Sequence, residues 1–311
     1  MKEFLTLSVL TATAASGIRL AIPFLLASLG EAVGQRSGVL NLGVEGVMLL
    51  GAFGAYYTSL QTHSLWLGAL VGLGIGAILG VVAAVVSVTL KAQQGISGIG
   101  IYLFGLGFSD LLFQKLVGTP TPINSLPAVK IPALAGLPVL GKMLFQHSIL
   151  AYVALLLVPV FAFVLNRTTY GMDIKAVGEN PAAADSLGVS VTKIRYSTVM
   201  LGSCLAGLAG AALALNLGIF QSNLTQGQGF IAVALVYFGA WRPSGVLAGS
   251  LLYGLVAATV LTWKTLGIIP PSASDLAAMA PAVLTVVALV FVARRVRQPA
   301  ALARAYERGG G

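Results

Sequence analysis

Three ionisable residues interrupt the apolar runs of this chain: Arg19, Glu45 and Asp110. Such groups are costly in hydrocarbon and usually face a bundle interior, a partner or a polar path. Glu45 is the sharpest case, because it shares "SGVLNLGVEGVMLLGAFGAYY", residues 37–57, with Asn41 and five glycines. The strongly apolar residues of that stretch contribute about −3 kcal/mol to insertion, and one acidic residue near the centre costs about as much. Taken as one helix from Ser37, the segment carries Glu45 about 12 Å inward, nearly half of a ~30 Å core. Facing lipid it is marginal; with Asn41 and Glu45 turned toward other helices or a watered path it is not. Two roles fit Glu45. It lines a substrate path, or it is structural, pairing with Arg19 or hydrogen-bonding a neighbouring helix.

Other chemistry is poorly supported. "GLPVLGKM", residues 136–143, follows most of a phosphate-binding loop, but Met143 stands where a magnesium-reaching Ser or Thr is needed. No strand-then-helix unit surrounds it, so the chain is expected to hydrolyse no nucleotide itself. His63 and His147 fall at span ends, the chain has one cysteine, and Asp110 is the only aspartate within a span. Neither a nucleophile–base pair nor an aspartyl dyad can be assembled from these. The expectation is no catalytic residue, no metal site and no enzyme.

The elements that must position Glu45 follow from composition. Of 311 residues 57% are hydrophobic and 9% charged, with mean hydropathy +0.94. Soluble domains carry about 25% charged residues, so this is an integral membrane protein. Apolar runs predict spans near 6–30, 38–60, 64–90, 95–117, 147–165, 196–220, 228–241, 244–263 and 276–293. The fold class is therefore all-α, a polytopic bundle of about nine (8–10) helices forming a single domain over 1–311. The run 228–241 is short for a span and reads as a broken or re-entrant helix. In "VGLGIGAILG", Gly72, Gly76 and Gly80 share a face and permit close helix packing.

Lysine and arginine placement sets the orientation. Alternation puts Arg36, Lys91, Arg167, Lys175, Lys193, Arg195, Arg242 and the basic tail at 294–311 on one side. Lys2, Lys115, Lys130, Lys142 and Lys264 fall on the other. The bias predicts a cytoplasmic C-terminus and an external N-terminus. Residues 118–146 then form an external proline-rich loop, either a stiff connector or a docking surface. Residues 166–195 form the one sizeable cytoplasmic loop. In it Asn180 suits a helix N-cap, Pro181 the first helical position and Gly188 the stop. A second polar, glycine-rich start lies at "NLTQGQGFIAVALVYFGAWRPSG", residues 223–245. Paired glycine-interrupted segments in two halves of a transporter point to a central site.

"LGEAVGQRSGVLNLGVEGVMLLGAF", residues 29–53, resembles the signature of permease subunits of ABC importers for nucleosides and simple sugars, in the branch with ribose-type and branched-chain amino-acid permeases. "GMDIKAVGENPAAADSLGV" and "QGQGFIAVALVYFGAWRPSGVLAGSLLYG" agree in order, and the resemblance runs from about residue 18 to 292. It implies a coupling helix that docks on a separate ATPase, with Gly178, Asn180, Pro181, Ala183, Ala184 and Gly188 in that element. Ala182 replaces the glutamate of the family pattern, which removes any salt bridge from that position. The resemblance further implies Asn41, Glu45, Gln226, Gln228 and Phe230 along the translocation path. Expected partners are ATP-binding cassette subunits carrying ATP-Mg, a second permease (the same chain or a related one), an external substrate-binding protein and membrane lipid, with no nucleic acid. The expected location is the bacterial cytoplasmic (inner) membrane. The competing reading is an ion-coupled secondary transporter of a small polar solute, with Glu45 or Asp110 carrying the coupling proton.

Overall fold

The computed structural model describes residues 6–130, 140–293 and 297–307. Nearly all of this is helix: α1 Leu7–Arg36, α2 Val44–Thr62, α3 Leu65–Ala84 with a π turn to Thr89, and α4 Gln94–Leu116. Next come the paired strands β1 Ala128–Lys130 and β2 Gln146–Ser148, with the short helix α5 Leu140–Leu144 before β2, and then α6 Ile149–Arg167, α7 Thr169–Glu179 and α8 Pro181–Ser186. The chain finishes with α9 Val191–Leu217, α10 Gln228–Phe238, α11 Pro243–Thr265, α12 Ser274–Ala278 and α13 Ala280–Ala293.

α9 is the axis of the bundle and packs against α1, α2 and α3. Its "GLAGAALAL" run exposes little but backbone, and its neighbours answer with glycines of their own. A methyl on Gly207 would lie 2.3 Å from the Gly72 carbonyl oxygen, so the two helices touch backbone to backbone. The stripe expected at Gly72, Gly76 and Gly80 is this contact surface.

Among the described residues seven helical segments are long and apolar enough to cross a membrane, not nine. Two expected spans behave differently, for identifiable reasons. The run 38–60 does not begin as helix: Ser37 closes α1, Gly38 adopts φ +90, and α2 starts only at Val44. Glu45 thus sits in the first turn of α2 rather than mid-helix. The run 228–241 yields an 11-residue helix, α10, about 16 Å long and roughly half a bilayer core. Lys2, Arg294, Arg295, Arg308 and the first part of the Gly136–Met143 loop lie outside the described residues.

One end of the bundle gathers Arg36, Lys175, Arg195, Arg242 and the 297–307 segment, which lies across it as a strap. Ala301 N–H donates to the Gly178 carbonyl at 2.9 Å and Ala303 N–H to that of Gly38 at 3.0 Å. Lys91 pairs with Glu307 at 2.7 Å, and that bond holds the exposed Glu307 carboxyl below its ordinary range. Beneath the strap Arg195, 1% exposed, donates Nε to the Ser37 carbonyl at 3.2 Å and Nη1 to that of Arg304 at 2.9 Å. A cation facing the carbonyl end of α1 is favourable there. Arg195→Met keeps the aliphatic volume but removes both bonds, at about 1.5–3 kcal/mol each. The expected result is a lowered thermal midpoint and faster proteolysis at the strap. Unchanged cleavage would show that the strap holds without Arg195.

The 166–195 loop carries two helices where one is expected. α7 is capped by the Thr168 hydroxyl, which accepts from Gly171 N–H at 3.1 Å, and buries Ile174 and Val177. α8 follows the expectation at its start, with Asn180 Oδ1 accepting from Ala183 N–H at 3.0 Å and Pro181 opening the helix. It is a single six-residue turn-and-a-half, stopped before Gly188, which takes φ +89 and donates to the Asp185 carbonyl at 2.9 Å.

Candidate functional site

Both interrupted segments start inside the bundle, and their starts meet. Glu45, 1% exposed in the first turn of α2, reaches across to the loop that opens α10. Its Oε1 accepts from the Thr225 hydroxyl at 2.5 Å and Gly227 N–H at 2.7 Å, and its Oε2 from Gly229 N–H at 2.5 Å. The first amides of a helix have no intrahelical acceptor and carry the positive end of its dipole. Gly227, the N-cap of α10, has φ +87 and no capping side chain of its own. Glu45 supplies the missing cap from a segment about 180 positions away. Of the two structural partners open to Glu45, the neighbouring segment is the one it bonds. Arg19 is exposed and has neither an ion pair nor a hydrogen bond among the described residues.

The loop between α1 and α2 is fixed by a second buried carboxylate, Glu31, which the sequence reading passed over. Glu31 accepts Asn41 N–H and Gln35 Nε2–H, each at 3.0 Å. Gln35 Oε1 in turn accepts Trp241 Nε1–H at 2.8 Å, and Arg36 Nε donates to the Trp241 carbonyl at 3.0 Å. The chain of bonds Asn41–Glu31–Gln35–Trp241 therefore ties the start of α2 to the turn between α10 and α11. Asn41 itself is 8% exposed: its Oδ1 accepts from Gly43 N–H at 2.9 Å and its Nδ2 faces Ser203 Oγ at 3.4 Å. Asp110, on α4, instead bonds the loop that leads from α9 into α10. It accepts from the hydroxyl of Ser222 and, at 2.8 Å, from Gln114 Nε2.

The remaining expected path residues separate. Gln228, first residue of α10, lines a cavity of about 370 Å³ with Arg19, Phe24, Asn216 and Tyr253. Its Oε1 is buried without a hydrogen-bond partner. Phe230 points the other way, 36% exposed, edge-on to Tyr102 of α4 at 5.1 Å between ring centroids. Gln226 is exposed in a left-handed backbone conformation, φ +46. The geometry therefore yields a junction of two helix starts clamped by Glu45, with a largely apolar cavity beside it into which a few polar groups are set. Uncharged solutes with an apolar face and a few hydrogen-bonding groups match such a lining better than small ions do. Leucines and Phe24 form most of the wall, and the Gln228 and Asn216 amides, the Tyr253 phenol and Arg19 supply the polar groups.

At the basic end, Gly178 meets the last turn of α1 so closely that a methyl there would lie 2.0 Å from the Arg36 carbonyl oxygen. Ala184 is buried, whereas Ala182, Ala183, Leu187 and Gly188 are exposed, Leu187 at 84%. The turn of α8 thus offers a small surface of alanines and Leu187, with the half-buried Asp185 as its one charged residue, to whatever lies beyond it.

A family model described as the permease component of the branched-chain amino acid transport system matches residues 13–292. A relative in Haloferax volcanii, provisionally named a glucose ABC transporter permease, is 41% identical over 256 residues, covering 81% of this chain and 77% of its own. The guanosine ABC transporter permease of Bacillus subtilis is 33% identical over 301 residues, 93% of this chain and 94% of its own. The nucleoside ABC transporter permease of Lactococcus lactis is 33% identical over 279 residues, 86% and 88% of the two chains. No solved structure matches.

Proposed function

The chain belongs to the branched-chain amino acid transport system permease family, and from that premise we propose that it carries a nucleoside or a simple sugar through the membrane. As a permease subunit of an ABC importer it is a translocation subunit and not an enzyme. The observation that supports this reading of the path is the Glu45 clamp on α10, which fixes Gln228 beside a half-open, largely apolar cavity that carries a few polar groups. Relatives named for guanosine, nucleosides and glucose support the substrate class. All are neutral, hydroxyl-rich solutes suited to amide and phenol hydrogen bonds.

In this reading nine segments cross or enter the membrane. α2 crosses inside the bundle, shielded from lipid by α3, α4 and α9, and α10 with residues 218–227 makes the broken passage. The basic end is cytoplasmic, in a bacterial inner membrane. Two permeases form the path, this chain with a copy or a related one, and a substrate-binding protein delivers solute to the loops at 118–146 and 221–227. ATPase subunits, which hold the ATP-Mg, dock on α8, with Gly178, Asn180, Pro181, Ala183, Ala184 and Gly188 shaping the contact.

Gly188→Asp tests the docking role. The residue has nothing within 4 Å to clash with, but its φ of +89 disfavours any side chain by about 1–2 kcal/mol, and the change adds charge at the docking surface. ATP-driven uptake should be lost while the chain stays in the membrane; unimpaired uptake would remove α8 from the coupling route. A mild-detergent pull-down with uptake of labelled guanosine and glucose tests the whole assignment. Co-purifying ATPase and ATP-dependent uptake support it. A chain that purifies alone and transports on an ion gradient would establish the secondary transporter instead.

A further inference from the structure

At the basic end a half-open cavity of about 260 Å³ is lined by four cationic side chains, Arg36, Lys175, Arg242 and Arg297, and by a single carboxylate, Glu179. At neutral pH the lining therefore carries three net positive charges. Among the described residues the one ion pair within 4 Å is Lys91–Glu307, so Glu179 neutralises none of the four at contact distance. Arg36 spends Nε on the Trp241 carbonyl, and Lys175 donates to Asn166 Oδ1 at 2.9 Å. The guanidinium groups of Arg242 and Arg297 make no hydrogen bond within the described residues. Like charges held this close repel, and the crowding is visible in Lys175. Burial, and after it the Arg36 charge, pull its ammonium below the ordinary range.

The backbone here is also held in a costly form. Ala240 and Trp241, which wall the cavity, both take left-handed conformations, φ +52 and +54. Non-glycine residues in that region cost about 1–3 kcal/mol and cluster where a ligand is clamped. The strap contributes Arg297 and the buried Pro299 to the lining, so one side of the cavity is built by the 297–307 segment. Arg36 ends α1 and Arg242 immediately precedes α11, so the cavity lies at the end of the bundle where the basic side chains gather.

We propose that this cavity binds a phosphate group, with Arg242 and Arg297 facing it and Arg36 and Lys175 behind. Arginine forks match phosphate oxygens bidentately, which no single carboxylate in the cavity can replace. Two sources share that chemistry: the headgroup of an anionic phospholipid, reached from the bilayer, and a soluble phosphate, reached through the open side. Occupancy would tie α1, α7, the α10–α11 turn and the strap together at the end from which α8 projects. The proposal does not depend on the substrate class.

The test uses the full chain extracted with the subunits that accompany it, as wild type and as Lys175→Gln/Arg242→Gln. Native mass spectrometry after exchange into nanodiscs of phosphatidylglycerol or phosphatidylcholine reads the lipid source. Thermal unfolding of delipidated protein with and without inorganic phosphate reads the soluble one. Retention of phosphatidylglycerol by the wild type, reduced about ten-fold or more in the variant, supports a lipid headgroup. A phosphate-dependent upward shift in the midpoint, absent in the variant, supports the soluble source. Arg297→Gln, on the strap, carries the same comparison if the double variant does not fold. Equal behaviour of wild type and variants toward both probes overturns the proposal, as does a cross-link showing that a carboxylate of a co-purifying protein fills the cavity.

Discussion

Glu45→Ala is expected to abolish transport, and Glu45→Gln to reduce it about ten-fold or more. The carboxylate accepts three hydrogen bonds in a buried site, two from backbone amides at the start of α10. Alanine leaves all three donors unpaired at about 1–3 kcal/mol each, a total of several kcal/mol against a protein's small net stability. Glutamine has one oxygen. Turned toward Thr225 and Gly227, it sets its amide hydrogens against Gly229 N–H; turned the other way, it orphans the pair. It also gives up the charge that complements the N-terminus of α10. A loss of about 1.4 kcal/mol in the transporting conformation is a factor of ten. Uptake normalised to the amount of chain in the membrane, with thermal unfolding in detergent, separates the effects. Loss of uptake with an intact midpoint places Glu45 on the path. A fall in both means that the clamp holds the fold. Wild-type uptake by Glu45→Gln would show that the three bonds carry no function.

Much of this arrangement was legible where the physics is local. The start of α8 follows from Asn180 and Pro181 because an N-cap reaches only three residues along the chain, and its stop follows from Gly188 for the same reason. α7 has equally local signals, the Thr168 cap and the buried Ile174 and Val177, but its length is modest and its polar face resembles a loop. Glu45 and the 226–229 start were each visible as misfits in apolar runs. That they bond one another was not, since nothing in either segment encodes a contact across 184 positions. Glu31 was passed over because a span ending at residue 30 leaves it in a loop; its spacing of four from Gln35 on one helix face was the available signal. The strap has no periodicity at all. It is held through backbone carbonyls and amides, which carry no sequence signature.

The contact between α7 and α1 predicts the second large effect. Gly178→Ala places a methyl 2.0 Å from the carbonyl oxygen of Arg36 and 2.9 Å from its carbon. No side-chain rotation can relieve a clash with backbone, so α7 must move away from α1 by an ångström or more, at a cost of about 1–3 kcal/mol. The carbonyl of Gly178 also holds the strap through Ala301, so the shift loosens both contacts. The bundle itself, built on α9 with α1, α2 and α3, is untouched. The chain should therefore remain in the membrane and, if α8 is the docking element as proposed, keep its ATPase partner. Substrate uptake should drop about ten-fold or more while ATP hydrolysis continues, because α7 is the main neighbour of α8 and packs on the last turn of α1, with α9 the other route. Measuring both rates on the same reconstituted sample decides the matter. Uptake at the wild-type level would mean that force from α8 enters the bundle elsewhere, with α8–α9 the remaining contact. Parallel loss of uptake, hydrolysis and chain abundance would mean that Gly178 serves packing alone.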